Sequence, residues 1–268
     1  METTQIPFNP DIEVSHILRF IRNYVSNSGT SGVAVAISGG IDSAVASLLA
    51  VKALGKDKVL GLLLFEDGPD NLSDYEDAKL LISRLKINSK EISISPLFYP
   101  FKTAIKRAGI KASKYTLGNI KARCRMILLY AFANQNNLLV LGTGDRSEEE
   151  IGYFTKWGDG GVDLQPIAHL YKTQVRLLGE KLGVPDRVVN KPSSPHLWEG
   201  HEAIDEIPAD YPVLDRILNL LYDESMRPGQ VAKRLRVSRK LVNDIISLHD
   251  RNYHKRIPPP SLFGDSKR

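Results

Sequence analysis

Six consecutive residues, Ser38-Gly39-Gly40-Ile41-Asp42-Ser43, combine the side chains and backbone freedom that an anionic ligand requires. Gly39 and Gly40 lack a Cβ, so the backbone there can take positive φ and turn N–H groups toward one point. Ser38 and Ser43 add hydroxyl donors. The residues ahead of them, Val33-Ala34-Val35-Ala36-Ile37, are small or β-branched and apolar and read as a buried strand, and a helical pattern follows over 44–53. A helix start offers its positive end to the same anion. Strand, glycine turn and helix together predict a phosphate site. A Walker loop needs four residues between its glycines and a lysine after the second, and a dinucleotide fingerprint needs a third glycine; this segment has neither. Asp42 beside phosphates calls for a divalent cation between the like charges.

Lys172 is the second position with unusual chemistry. It falls in the first turn of a helix predicted over 170–182, where the helix dipole disfavours a cation. Its side chain must therefore point into solvent or face a strong anion.

These residues need a scaffold to bring them together, and the hydrophobic pattern supplies one. An amphipathic helix is predicted over 11–26, and strands over 33–37, 59–65, 91–94 and 138–141. Helices are predicted over 73–85, with Ser73-Asp74-Tyr75-Glu76 as a capping box, over 102–110 behind Pro96 and Pro100, and over 116–134. The alternation predicts an α/β fold, an open doubly wound parallel sheet with helices on both faces. Ligands of such sheets bind outside the carboxyl ends of the strands, here Ser38 and the Gly142-Thr143-Gly144-Asp145 turn. Residues 148–163 are Gly-rich and polar, with Tyr153, Phe154 and Trp157 interleaved, and read as a loop that closes over a ligand or one packed on its own aromatics. Residues 192–212, with four prolines, read as irregular, and 211–222 as helical. The division expected is an α/β domain over 1–212, with a C-terminal helical pair and basic tail over 213–268 packed on it.

Bulk composition narrows the class. The chain has 268 residues, 42% hydrophobic and 25% charged, as in an ordinary soluble globule, and contains neither an eighteen-residue apolar run nor a signal-like N-terminus. A cytoplasmic protein without a membrane partner is expected. A single cysteine, Cys124, excludes an internal disulfide framework and a Cys₂ metal site within one chain. The net charge of +5 suits phosphorylated small molecules as well as nucleic acid and decides nothing alone.

The Ser38–Ser43 segment resembles the pyrophosphate loop of the N-type ATP pyrophosphatases, which split ATP into AMP and pyrophosphate while adenylating a substrate. Four further segments resemble the signature blocks of NAD synthetase: Asn119-Ile120-Lys121-Ala122-Arg123-Cys124-Arg125-Met126, Gly142-Thr143-Gly144-Asp145-Arg146-Ser147-Glu148, Gly152-Tyr153-Phe154-Thr155-Lys156-Trp157-Gly158-Asp159-Gly160-Gly161 and Leu170-Tyr171-Lys172-Thr173-Gln174. With Leu197-Trp198 and His254-Lys255-Arg256, the resemblance runs from about Val33 to Pro259. It implies an adenine-nucleotide α-hydrolase-like fold and an ammonia-dependent ligase that adenylates the nicotinate carboxylate of deamido-NAD, after which ammonia displaces AMP. It places ATP on Ser38, Gly39, Gly40, Ile41, Asp42, Ser43, Thr143, Lys172 and Ser194, with Asp42 and Lys172 catalytic and Mg²⁺ on Asp42 and Glu148. Deamido-NAD falls to Arg123, Lys156, Asp163, His254 and Lys255, with Asp163 on sugar hydroxyls. The anion that Lys172 demands is then ATP phosphate. A homodimer is implied as well. The phosphate loop comes early in the chain, so no glutaminase domain is expected before it, and nitrogen comes as ammonia, free or from a separate glutaminase. One stretch departs from the family pattern: His201-Glu202-Ala203-Ile204 stands before Asp205-Glu206 where a Gln-Thr/Ser-Asp-Glu run is usual.

Two other readings compete. Another amide-forming or thiolating adenylating enzyme would share the loop, although thiolating members commonly use paired cysteines. Residues 230–235 and 239–246 also resemble a helix-turn-helix, but Asp244 would repel DNA phosphate and no second basic stripe flanks it. No nucleic-acid partner is therefore expected.

Overall fold

The computed structural model describes residues 6–68, 72–198 and 200–262. Among the described residues four strands, β1 (Gly32–Ala36), β2 (Val59–Phe65), β3 (Asn88–Ser93) and β4 (Leu138–Val140), form a parallel sheet in the order β3-β2-β1-β4. Val33 pairs with Val59 on one side of β1, and Gly32 with Leu138 on the other. The chain thus builds outward from β1 to β3, then crosses back to add β4 at β1's other edge. That reversal opens a crevice between the carboxyl ends of β1 and β4.

Alternation along the strands creates two cores. Val33, Val35 and Ile37 face α1 (Pro10–Ser28), α2 (Ile41–Leu54) and α3 (Leu72–Leu85), with Ile17, Val45, Leu49 and Leu81 buried among them. Ala34, Leu62 and Leu64 face the opposite side, where α4 (Ser95–Arg107) and α5 (Lys114–Gln135) contribute Phe98, Cys124, Leu129 and Ala133. Helices therefore cover both faces, as the βα alternation predicts.

Several local readings change. The helix predicted over 102–110 begins at Ser95, with Pro96 in its first turn and Pro100 inside it. Pro96 suits a helix start, and extending upstream buries Ser95 and Phe98, which offsets the hydrogen bond that Pro100 cannot donate. The capping box at Ser73 does not form, because α3 already includes Leu72 and the Asp74 carboxylate pairs with Lys191 at 2.8 Å. Residues 148–151 are not loop but part of the short helix α6 (Arg146–Ile151), capped by the Asp145 side chain and ended by Gly152 at φ 68°.

Beyond α6 come α7 (Lys172–Leu182), α8 (Asp186–Val189) and, after the proline-rich stretch, α9 (Tyr211–Leu218), which continues into a π-helical turn over Asn219–Asp223. The two helices read as a possible helix-turn-helix are α10 (Pro228–Leu235) and α11 (Arg239–Arg251). Their Val231, Val242 and Ile245 are fully buried with Tyr171, Leu214 and Ile217, so the pair packs into the protein. A last turn, α12 (Tyr253–Arg256), follows. Among the described residues no helix is long and apolar enough to cross a membrane.

Candidate active site

A cavity of about 730 Å³ opens at the crevice between β1 and β4. Ser38, Gly40, Ile41, Asp42 and Ser43 line it from the end of β1, and Thr143, Glu148, Lys172, Ser194 and Lys255 from the other walls. Beyond β1 the chain turns sharply at Gly39, which takes φ 83° and packs its α-carbon against the backbone of α3, where a Cβ would lie 2.2 Å from the Asp74 carbonyl oxygen. Gly39 shapes the turn from behind. Gly40 then caps α2 without a side-chain bond, and Ser43 Oγ donates to Gly40 O at 3.0 Å while accepting from Ser38 N at 3.2 Å.

The floor of the site is an ion cluster, with Lys172 and Asp145 buried and Asp42 and Glu148 half-buried. Lys172 Nζ lies 2.7 Å from Asp42 Oδ2, 2.8 Å from Asp145 Oδ2 and 2.9 Å from Glu148 Oε1. Lys172 thus meets the anion its position demands, and the chain's own carboxylates supply it. Each of the three acids offers one oxygen, and these lie within 4.8 Å of one another. With one ammonium among three carboxylates the cluster carries a formal surplus of two negative charges. Burial raises the Asp145 carboxyl to about 7, and the Asp42 charge adds to this against the pull of Lys172. Burial likewise holds Glu148 well above the ordinary carboxylate range. Burial alone would lower Lys172, but the three carboxylates outweigh it and hold the ammonium well above its usual value. A divalent cation matches that surplus, and Asp42 Oδ1, buried without a hydrogen-bond partner, is a free ligand atom for one.

The remaining predicted residues fall in three places. Arg123 Nη2 donates to Lys156 O at 3.2 Å, Lys156 Nζ donates to His254 O, and Lys255 Nζ donates to Gly152 O and Phe154 O at 2.7 Å each. These four residues gather around the 152–161 loop, and of them Lys255 lines the cavity. Asp163 stands apart at the end of β4, accepting from Tyr130 OH at 2.9 Å and Val140 N at 2.7 Å. Ser194 Oγ donates to His201 O within the proline-rich segment. In the divergent stretch, His201 is buried and stacked on Trp198 with ring centroids 3.6 Å apart, and Glu206 Oε2 accepts from Tyr153 OH at 2.9 Å.

Sequence reasoning missed several participants. Asp145 carried a usable signal, because Asp145-Arg146-Ser147-Glu148 has the spacing of an N-cap with a glutamate three residues on. Lys191, which lines the cavity and bonds Asp74 and Asp77, carried none, nor did Asp215, which reaches α7 from α9.

A parallel sheet with a glycine phosphate loop at its topological switch point, floored by a carboxylate–lysine cluster, defines an adenine-nucleotide α-hydrolase-like protein that acts on ATP. The family model described as NAD synthase matches residues 13–259. The NH(3)-dependent NAD(+) synthetase of Hyperthermus butylicus is 44% identical over 245 residues, covering 91% of this chain and 88% of that protein. Among solved structures, the NMN synthetase from Francisella tularensis superposes with TM-score 0.83 at 34% identity over 95% of this chain and 99% of that one. The NH3-dependent NAD synthetase from Campylobacter jejuni superposes with TM-score 0.79 at 28% identity over 96% of this chain and all of that one. The chain belongs to the NAD synthase family.

Proposed function

We propose that this protein is an ammonia-dependent NAD synthetase whose chemistry is centred on Asp42, Asp145, Glu148 and Lys172. The observation that carries the reading is the cluster of these four residues at the phosphate loop, in which Lys172 and Asp145 are buried while Asp42 and Glu148 stay partly exposed in the cavity. A nicotinate carboxylate oxygen of deamido-NAD attacks the α-phosphorus of ATP and pyrophosphate leaves. Ammonia nitrogen then attacks the acyl carbon, the bond to AMP breaks, and loss of a proton from nitrogen gives the amide. Negative charge builds on phosphate oxygens in the first step, so the site needs donors and cations more than a nucleophile.

The loop amides, the Ser38 and Ser43 hydroxyls and the start of α2 would hold the departing pyrophosphate, with Ser194 on an ATP phosphate and Thr143 beside the nucleotide. Mg²⁺ would be held by Asp42 and Glu148, with Asp145 beside them, and would supply charge neutralisation on the phosphates. The ammonium of Lys172 would turn from the carboxylates to a phosphate oxygen once the metal satisfies them. Arg123, Lys156, His254 and Lys255 would meet the phosphates of deamido-NAD, and Asp163 its sugar. The family resemblance carries with it a homodimer that completes this rim. The reading extends to a cytoplasmic enzyme that takes ammonia free or from a separate glutaminase, with residues 213–268 packed on the nucleotide domain.

Incubation with ATP, Mg²⁺, ammonium and deamido-NAD should yield NAD and AMP in equal amounts. ADP in place of AMP would sink the mechanism. A parallel reaction with nicotinic acid mononucleotide, run because the Francisella tularensis neighbour is an NMN synthetase, decides the substrate: faster amidation of the mononucleotide would overturn the dinucleotide assignment.

A further inference from the structure

Asp215 is wholly buried on α9, does not line the cavity, and still spends both carboxylate oxygens on the two elements that carry the ion cluster. Its Oδ1 accepts from Ser147 Oγ at 2.5 Å, and its Oδ2 accepts from the Thr173 amide at 2.9 Å. Ser147 Oγ in turn accepts from the Lys172 amide at 2.9 Å. The first two amides of α7 are therefore satisfied from other helices, and the Tyr171 amide ahead of them donates to Gln174 Oε1 at 2.9 Å. A buried carboxylate is costly unless its charge meets donors, and the N-terminus of α7 offers such donors together with the positive end of a helix dipole. Asp215 thereby offsets the dipole that would otherwise oppose an ammonium at the first position of α7.

The second consequence is geometric. Ser147 immediately precedes Glu148 on the short helix α6, so the Ser147–Asp215 bond sets where Glu148 points. One carboxylate on α9 thus fixes both the lysine and the glutamate relative to Asp42 on α2. We propose that Asp215 is a positioning residue for the nucleotide and metal centre, acting through Ser147 and the N-terminus of α7, and that it touches no reacting atom. This rests on the metal reading of the Asp42–Asp145–Glu148 cluster. Metal ligands are held in place by such outer partners, and losing one typically weakens binding 10- to 100-fold.

The test uses the full-length chain with Mn²⁺ as the probe, free Mn²⁺ being followed by electron paramagnetic resonance, and steady-state kinetics alongside. Asp215→Asn keeps the shape but lacks the second acceptor, and Ser147→Ala removes the link to Lys172 while leaving the Thr173 cap. Both should bind Mn²⁺ about 10-fold more weakly than wild type, with KM for ATP raised and KM for deamido-NAD unmoved. Variants that melt earlier yet bind Mn²⁺ and ATP as wild type does would overturn the proposal, leaving Asp215 a core tie only. If Asp215→Asn does not fold, Ser147→Ala decides on the same criterion. If wild type itself binds no Mn²⁺, the metal reading fails, and the ATP KM of Ser147→Ala then upholds or overturns the positioning role.

Discussion

Lys172 Nζ and Asp145 Oδ2 lie 2.8 Å apart, with the lysine side chain 1% exposed and the aspartate side chain fully buried. Asp42 and Glu148 complete the lysine's surroundings. A buried ion pair contributes little net stability, but removing one partner strands the other charge. The Lys172→Ala variant should therefore lose about 3 kcal/mol of stability in the absence of divalent metal. Millimolar Mg²⁺ should return part of it, because the metal replaces the missing cation. Thermal unfolding with and without Mg²⁺ checks both statements, and a variant equally unstable in either condition would remove the cluster from the metal site.

Asp145 holds two roles that one substitution separates. As the cap of α6 it accepts from the Glu148 amide at 2.9 Å, and asparagine caps as well as aspartate does. As a charge beside Lys172 it has no neutral substitute. Asp145→Asn should melt within a few degrees of wild type yet release pyrophosphate at least about 10-fold more slowly at fixed Mg²⁺. A pyrophosphate-release assay across Mg²⁺ concentrations reads the difference, and wild-type rates would leave Asp145 as a cap alone.

The two glycines of the phosphate loop are not equivalent. Gly39 takes φ 83°, and a Cβ there would lie 2.2 Å from the Asp74 carbonyl oxygen, whereas Gly40 is at φ −88° with Ser38 Oγ 3.5 Å away as the nearest obstacle. Gly39→Ala should destabilise the protein by more than the roughly 1–3 kcal/mol of strain alone, because backbone must also move. Gly40→Ala should fold as wild type does and raise KM for ATP, its methyl group lying at the cavity wall. Denaturant titration and ATP kinetics on the pair give the comparison.

Asp74 ties the proline-rich segment to α3 through Lys191 and His196. Burial would raise its carboxyl, but the hydrogen bonds and positive charge of His196 and Lys191 outweigh that and hold it below its usual value. A carboxyl with a lower pKa folded than unfolded contributes stability in full above the unfolded value, about 3.9, and loses it as pH falls through the folded value. The Ala203 amide, which donates to Ser193 O at 3.0 Å within that segment, should therefore lose hydrogen-exchange protection below about pH 4. In Asp74→Asn the protection should be low already at neutral pH and lack this acid step. An unchanged profile in the variant would place the tie elsewhere.

The chemistry of this protein is legible in short stretches of chain. The phosphate turn, the apolar strands around it and the alternation that makes the sheet parallel are local patterns, so Ser38–Ser43, β2 and the two-faced packing follow from residue order and side-chain period. The unfavourable position of Lys172 could also be read locally, as a demand for an anion. Which anion answers it could not be read that way. Asp42, Asp145 and Glu148 converge on Lys172 only because β4 crosses back to the far edge of β1 and sets α6 and α7 against the start of α2. Asp215 is further removed still, one acid on an amphipathic helix whose contacts with Ser147 and Thr173 depend on how α9 packs. Periodicity reports which face of an element is buried. It carries no information on which buried polar group meets which, and that pairing is what turns a phosphate loop into a site.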